Sequence, residues 1–227
     1  TIRALRHHGG ASPEELNTPS LERVENGFVN LQKHIENAKT FGFNPVIAIN
    51  HFVKDSQEEI ELLQKMCGEM NVKSVLAKAW ELGGNGTQDL ARAVVAEIES
   101  GNSNFKPLYD HSKSPKEKID TIAKTIYGAD GVEYSAKALE GLKRIEKIGL
   151  SNLPICMAKT QKSFSDNEKK IGRPSGFTVT VREFEIAAGA GFLIPILGNM
   201  MRMPGLPSVP ASEGMDISDS GIISGLS

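Results

Sequence analysis

Short apolar runs alternate along this chain with longer stretches whose apolar residues return every three or four positions. The clearest runs are Pro45-Val46-Ile47-Ala48-Ile49-Asn50 and Ser74-Val75-Leu76-Ala77-Lys78-Ala79. Runs of this kind, set between helical segments, predict parallel strands. A short strand-like start precedes a turn at His7-His8-Gly9-Gly10. A long helix follows, with Leu21, Val24, Phe28, Leu31, Ile35 and Ala38 on one face and Gly42 as its stop. Ser56 and Glu59 form a capping box for a helix carrying Ile60, Leu63, Met66 and Met70. Thr87 is positioned to cap a helix bearing Leu90, Val94 and Ile98.

The pattern lapses into a polar loop between Ser100 and Lys113. Ser114-Pro115 restarts a helix with Ile119, Ile122 and Ile126, closed by Gly128, and another helix spans about Ser135 to Ile148. This alternation predicts an α/β fold with a mostly parallel sheet and flanking helices. From Leu153 the character changes. Leu153 to Ala158 reads as a short strand, Asp166 to Lys170 as a charged turn, and Phe177, Val179 and Val181 alternate with polar neighbours as in a half-exposed strand. Glycines and prolines then punctuate the rest. The expected division is 1–40, 41–150 and a small strand-and-loop-rich C-terminal domain over 151–227.

Length and charge narrow the classes without choosing among them. A chain of 227 residues buries roughly 70% of its unfolded surface and needs no disulfide to fold. Cys67 and Cys156 therefore read as buried, reduced thiols, which points to a cytoplasmic location. A net charge of −2 argues against nucleic acid as a partner. No apolar run approaches the roughly 20 residues of a membrane span, and no signal peptide is visible. The chain opens on Thr1 rather than methionine and is expected to be a piece of something longer.

Candidate chemistry gathers at the strand ends. The first run leads into His51-Phe52, the second into Trp80 and the turn Gly83-Gly84-Asn85-Gly86-Thr87. Ligands of open α/β sheets settle at the carboxyl ends of strands, so Phe52 and Trp80 could clamp a flat ring, although aromatics at such places also serve core packing. The glycine turn precedes a helix N-terminus, which favours anions, but it lacks the Gly-Lys-Ser/Thr ending of a P-loop. A plain tight turn explains it as well. The Ala187–Phe192 segment allows close backbone approach, to a ligand or to another strand. Lys159 follows a strand end and could pair with a phosphate or carboxylate. The five histidines form no metal signature, and on a strand the adjacent His7 and His8 would point to opposite faces.

Ordered segments along nearly the whole chain resemble the C-terminal part of formate–tetrahydrofolate ligases. They are Arg3-Ala4-Leu5 with Gly9-Gly10, Ala48-Ile49-Asn50-His51-Phe52, Trp80 with Gly83-Gly84 and Leu90-Ala91, and Ile126-Tyr127-Gly128-Ala129. Asn152 to Gln161, Ala188-Gly189-Ala190-Gly191-Phe192 and Met203-Pro204-Gly205-Leu206-Pro207 complete the set. The resemblance implies ATP-dependent joining of formate to tetrahydrofolate, with Mg2+ and in many members a monovalent cation, through formyl phosphate to 10-formyltetrahydrofolate. It implies a folate site at Phe52, Trp80, Gly83 and Gly84, and a nucleotide site at Pro174, Ser175, Gly176 and Phe177 with Gly189, Ala190 and Gly191. Formate, tetrahydrofolate and ATP are the expected partners, with neither nucleic acid nor membrane among them.

The family's P-loop and its phosphate-binding lysine and arginine have no counterpart in this chain. The resemblance therefore implies a separate N-terminal P-loop domain, a homo-oligomeric full-length enzyme and an inactive isolated fragment, with residues 1–40 as the remnant of that large domain. Val53 stands where many members carry proline, so the loop under the clamp is expected to differ in shape. The competing reading is a non-catalytic folate-binding or assembly module that keeps the fold. A self-contained α/β transferase is weaker, for want of a complete catalytic set.

Overall fold

The chain begins with a helix rather than the expected strand. Helix α1 (Ile2–His8) is capped by Thr1, whose hydroxyl accepts from the Ala4 N–H at 3.2 Å. Ile2 and Leu5 both point into the core, a three-residue spacing that belongs to a helix. The computed structural model describes residues 1–198 and 208–225, so the Met203–Pro207 segment lies outside the described residues. Helix α2 (Leu21–Thr40) starts at Ser20, whose side chain accepts from Arg23 N–H. It buries Val24, Phe28 and Ile35 as its stripe requires, while Leu21 at its first turn stays in water.

Strand β1 (Ile47–Asn50), helix α3 (Gln57–Glu69) and strand β2 (Ser74–Ala77) form one βαβ unit, with Ile47 to Asn50 paired in parallel to Ser74 to Ala77. The capping box of Ser56 and Glu59 is present in full. Ile2, Leu5, Val24, Phe28, Ile49, Ile60, Leu63 and Cys67 make one core, so α1 and α2 pack directly on this unit. A single turn α4 (Ala79–Leu82) follows, then a 3-10 turn over Gly83–Thr87 and helix α5 (Gln88–Glu99). The expected apolar face of α5 is not buried, since Val94, Val95 and Ile98 face solvent. Thr87 does not cap it; its hydroxyl donates to the Gly84 carbonyl instead.

Helix α6 (Pro115–Ile122), opened by the Ser114–Glu117 capping box, widens into a π-helical turn over Ala123–Tyr127 and ends at Gly128 in the left-handed region. Strand β3 (Gly131–Tyr134) and helix α7 (Ala136–Lys147) come next. Strand β3 pairs in parallel with β4 (Thr178–Ala187), and β4 pairs antiparallel with β5 (Phe192–Leu197). Two-residue strands β6 (Asp216–Ile217) and β7 (Ile223–Ser224) form a final antiparallel pair. The fold is thus α/β with small sheets, some of their pairings parallel, in place of one mostly parallel sheet. Ile119, Ile145, Ile155, Phe177, Val179 and Leu193 share the second core, which draws on both sides of residue 150.

The expected strand over Leu153–Ala158 is reduced to two bridges against β5, at Ile155 with Leu193 and Ala158 with Ile196. Hydrogen bonds from Leu193, Cys156, Ala158 and Leu197 N–H follow a parallel ladder. Pro195 stands where the next donor belongs, and with no N–H it interrupts the ladder. In this extended segment Ile155 turns inward and Cys156 outward, so Cys156 is exposed and only Cys67 is buried as expected. Among the described residues no helix is long and apolar enough to cross a membrane.

Candidate functional site

Parallel pairing brings the carboxyl ends of β1 and β2 level, Asn50 opposite Ala77, with one further bond from His51 N–H to Ala77 O at 3.0 Å. Beyond that point Phe52 and Trp80, one after each strand, both line one cleft of about 310 Å³. Phe52 is 43% and Trp80 75% exposed. Large aromatics left in water beside one cleft make it a candidate place for a ligand. Val53, Asn17, Arg3 and Lys54 complete the rim, and Arg6 and Asp55 the floor.

The floor is a buried charge network. Arg6 is 1% exposed and Glu59 0%. Arg6 donates to the two Glu59 oxygens at 2.8 and 2.6 Å, to Leu16 O at 2.9 Å and to Lys54 O at 3.3 Å. Asp55 lies 3.7 Å from the same guanidinium and accepts the Phe52 N–H at 2.9 Å. Burial alone pushes the Glu59 carboxyl up, but Arg6 together with the N–H groups of Ser20 and Ser56 holds it below its ordinary value. The aromatic loop is therefore tied through Asp55 and Arg6 to helices α1 and α3.

The glycine turn follows Trp80 in the chain without lining the cleft. Gly83 adopts φ +55° and ψ −137°, a conformation open to glycine and costly for other residues. Gly84 is exposed with free space about it, whereas a Cβ on Gly86 would strike the Lys78 carbonyl. Lys78 N–H also donates to Gly86 O at 2.9 Å. Gly86, rather than Gly84, is the glycine that lets the turn fold back onto Lys78.

The two stretches matched to a nucleotide site lie apart. Phe177 is buried in the second core, and Lys170 sits over its ring at 5.5 Å. Pro174, Ser175 and Gly176 form the loop before β4, where Ser175 and Gly176 are exposed. Gly189, Ala190 and Gly191 make the β4–β5 hairpin turn, with Gly191 N–H on Ala187 O at 2.8 Å. Ten residues of β4 at ~3.3 Å each separate the two stretches by about 30 Å of extended chain. Neighbouring Arg173 is held by Glu36 in a two-point pair at 2.9 and 2.7 Å.

Lys159 faces a second cleft, of about 290 Å³, with His8, His34, Asn37, Tyr127 and Gln161. Burial pulls its ammonium down to about 8, against a smaller opposing pull from Asp166. His7 and His8 lie on helix α1 with ring centres 5.3 Å apart, not on a strand. Arg6, Asp55 and Asn37 were not singled out by the sequence, in which each is one polar residue among many. Glu59 was visible there only as a helix cap. A family model described as formate–tetrahydrofolate ligase matches this chain over residues 1–227.

Proposed function

The chain belongs to the formate–tetrahydrofolate ligase family, and from that premise we propose that it supplies the folate side of an ATP-dependent ligation of formate to tetrahydrofolate. In that reaction ATP phosphorylates formate, giving formyl phosphate and ADP. N10 of the folate, the amine between the pterin's methylene and the aminobenzoyl group, then attacks the formyl carbon and gives up its proton as phosphate leaves, and 10-formyltetrahydrofolate forms. The observation that carries the reading is that Phe52 and Trp80 both line one cleft at the carboxyl ends of paired parallel strands. Ring stacking between them excludes water from the pterin faces and fixes its orientation, so that the nitrogen stands within about 3–3.5 Å of the formyl carbon. Arg3 and Lys54 at the rim suit the carboxylates of a folate tail.

The nucleotide chemistry falls outside this cleft. The Pro174–Gly176 loop, exposed at Ser175 and Gly176, and the hairpin turn at Gly189–Gly191 are the stretches assigned to approach a nucleotide. Among the described residues no three His, Cys, Asp or Glu side chains are grouped to hold a metal ion, and these residues are assigned no step through magnesium or a monovalent cation. Strands β1 and β2 alone make a two-stranded parallel sheet, a size that seldom stands by itself. That supports a larger catalytic unit in which a P-loop domain handles phosphoryl transfer.

Trp80 is the single tryptophan, and its fluorescence tests the reading directly. Titration with tetrahydrofolate, corrected against free tryptophan, should quench it saturably. Phe52→Ala should weaken binding about tenfold, roughly 1.4 kcal/mol. A folded chain whose Trp80 emission never responds would remove the clamp, and with it this assignment.

A further inference from the structure

We propose that the cleft around Lys159 is a second ligand site, built for a tetrahedral oxyanion that carries a proton, the chemistry of hydrogen phosphate or a terminal phosphate group. It lies among His8, Asn37, Tyr127, Lys159 and Gln161 and does not rest on the ligase reading. Lys159 Nζ donates to the Thr160 carbonyl at 2.9 Å and to the Ser163 carbonyl, and lies 4.9 Å above the Tyr127 ring. Among the described residues no carboxylate is within ion-pair distance of it. Asp166, the acid whose charge reaches Lys159, is already engaged by the Thr180 N–H at 2.9 Å. A half-buried ammonium surrounded by neutral groups is stabilised by an anion, and one of its three protons is left to bind it.

His8 adds a donor of defined direction. Its Nδ1 accepts the Gly172 N–H at 3.0 Å, which leaves the ring proton on Nε2. The independent observation is Asn37. This residue is 8% exposed and lines the cleft. Its Nδ2 donates to Ile126 O at 2.9 Å, and its Oδ1 is buried with no hydrogen-bond partner. A buried acceptor left unmatched favours a ligand that brings a proton to it. Hydrogen phosphate offers acceptor oxygens to Lys159 and His8 and one P–OH to Asn37. Sulfate has the same shape but carries no proton at neutral pH, and would turn only lone pairs toward Oδ1. Sites built around a buried polar group reject the analogue that cannot satisfy it.

Calorimetric titration of the chain at constant ionic strength decides the matter, with inorganic phosphate, phenyl phosphate and sulfate as probes. Saturable binding of inorganic phosphate assigns the free ion, and binding of phenyl phosphate alone assigns the terminal group of a larger ligand. In either case sulfate should bind at least tenfold more weakly. Lys159→Met should weaken the phosphate probe at least tenfold, and Asn37→Ala should bring phosphate and sulfate within about twofold. No saturable phosphate binding, equal affinity for sulfate, or an undiminished Lys159→Met variant overturns the proposal. If that variant does not fold, the Asn37 side-chain amide signals of the unaltered chain serve instead. Their saturable shift with phosphate supports the site, and their indifference overturns it.

Discussion

At the scale of single residues, the side chains that organise the aromatic cleft are charged and hidden. Arg6 and Glu59 are paired out of water, and such a pair matters most when one partner is removed, because the other charge is then buried alone. Glu59→Gln should cost about 3 kcal/mol in urea unfolding, the low end for a broken buried pair, since Asp55 still stands 3.7 Å from Arg6. A loss below roughly 0.5 kcal/mol, the scale of a surface substitution, would contradict this. His8 governs a different response. Burial, then His7 and His34, lower its pKa from 6.5 to about 4. Between those values the unfolded chain binds more protons than the native one, so stability falls as pH drops from 6.5 toward 4. Melting temperatures across that window should decline more steeply for the unaltered chain than for His8→Gln. Equal slopes would exclude His8 as the source.

At the scale of elements, close approach of backbones decides where helices sit. A Cβ on Gly27 would land on the Leu5 carbonyl oxygen, and one on Gly9 on the Arg23 carbonyl. Helices α1 and α2 therefore cross with glycine at the contact. Gly27→Ala raises helix propensity locally yet overpacks the crossing, and should destabilise by about 1–3 kcal/mol. A stabilised variant in thermal melts would show that α1 yields. The capping box at Ser56 was legible from three-residue spacing alone, because it is a local hydrogen-bond pattern; at Ser114 the Ser-Pro pair marked the helix start, and the structure adds Glu117 as the other half of a box. The face of α5 was legible as amphipathic, but its burial was not. Periodicity records what a helix can bury, and only the neighbours present determine whether it does.

At the scale of the whole molecule, two cores are joined by polar pins. Asn30 donates to Gly172 O, Lys33 to Thr125 O and Asn37 to Ile126 O, so α2 of the first core grips the π-helical turn and the Gly172 loop of the second. Lys118, fully buried, donates to the carbonyls of Ser151 and Leu153 and ties α6 across residue 150. A chain ended at residue 150 would strip β4 and β5 from β3 and expose Ile119 and Ile145. Hydrogen exchange should then find 115–150 unprotected, while the amides of α2 and α3 keep their protection. Retained protection at 115–150 would mean that this half folds without the second sheet. The amino-acid sequence by itself determined the helices with strong stripes and caps, the βαβ unit of β1, α3 and β2, and the two aromatics at its strand ends. Each of these rests on local periodicity or on a strand's fixed direction. The helix at residues 2–8, the outward turn of Cys156, the Arg6–Asp55–Glu59 floor, the distance between the two glycine-containing stretches and the cleft at Lys159 were decided only in the tertiary structure. The Arg6–Asp55–Glu59 floor and the Lys159 cleft depend on residues far apart in the chain meeting, and the energy of such a meeting is set by burial and partners that no local pattern encodes.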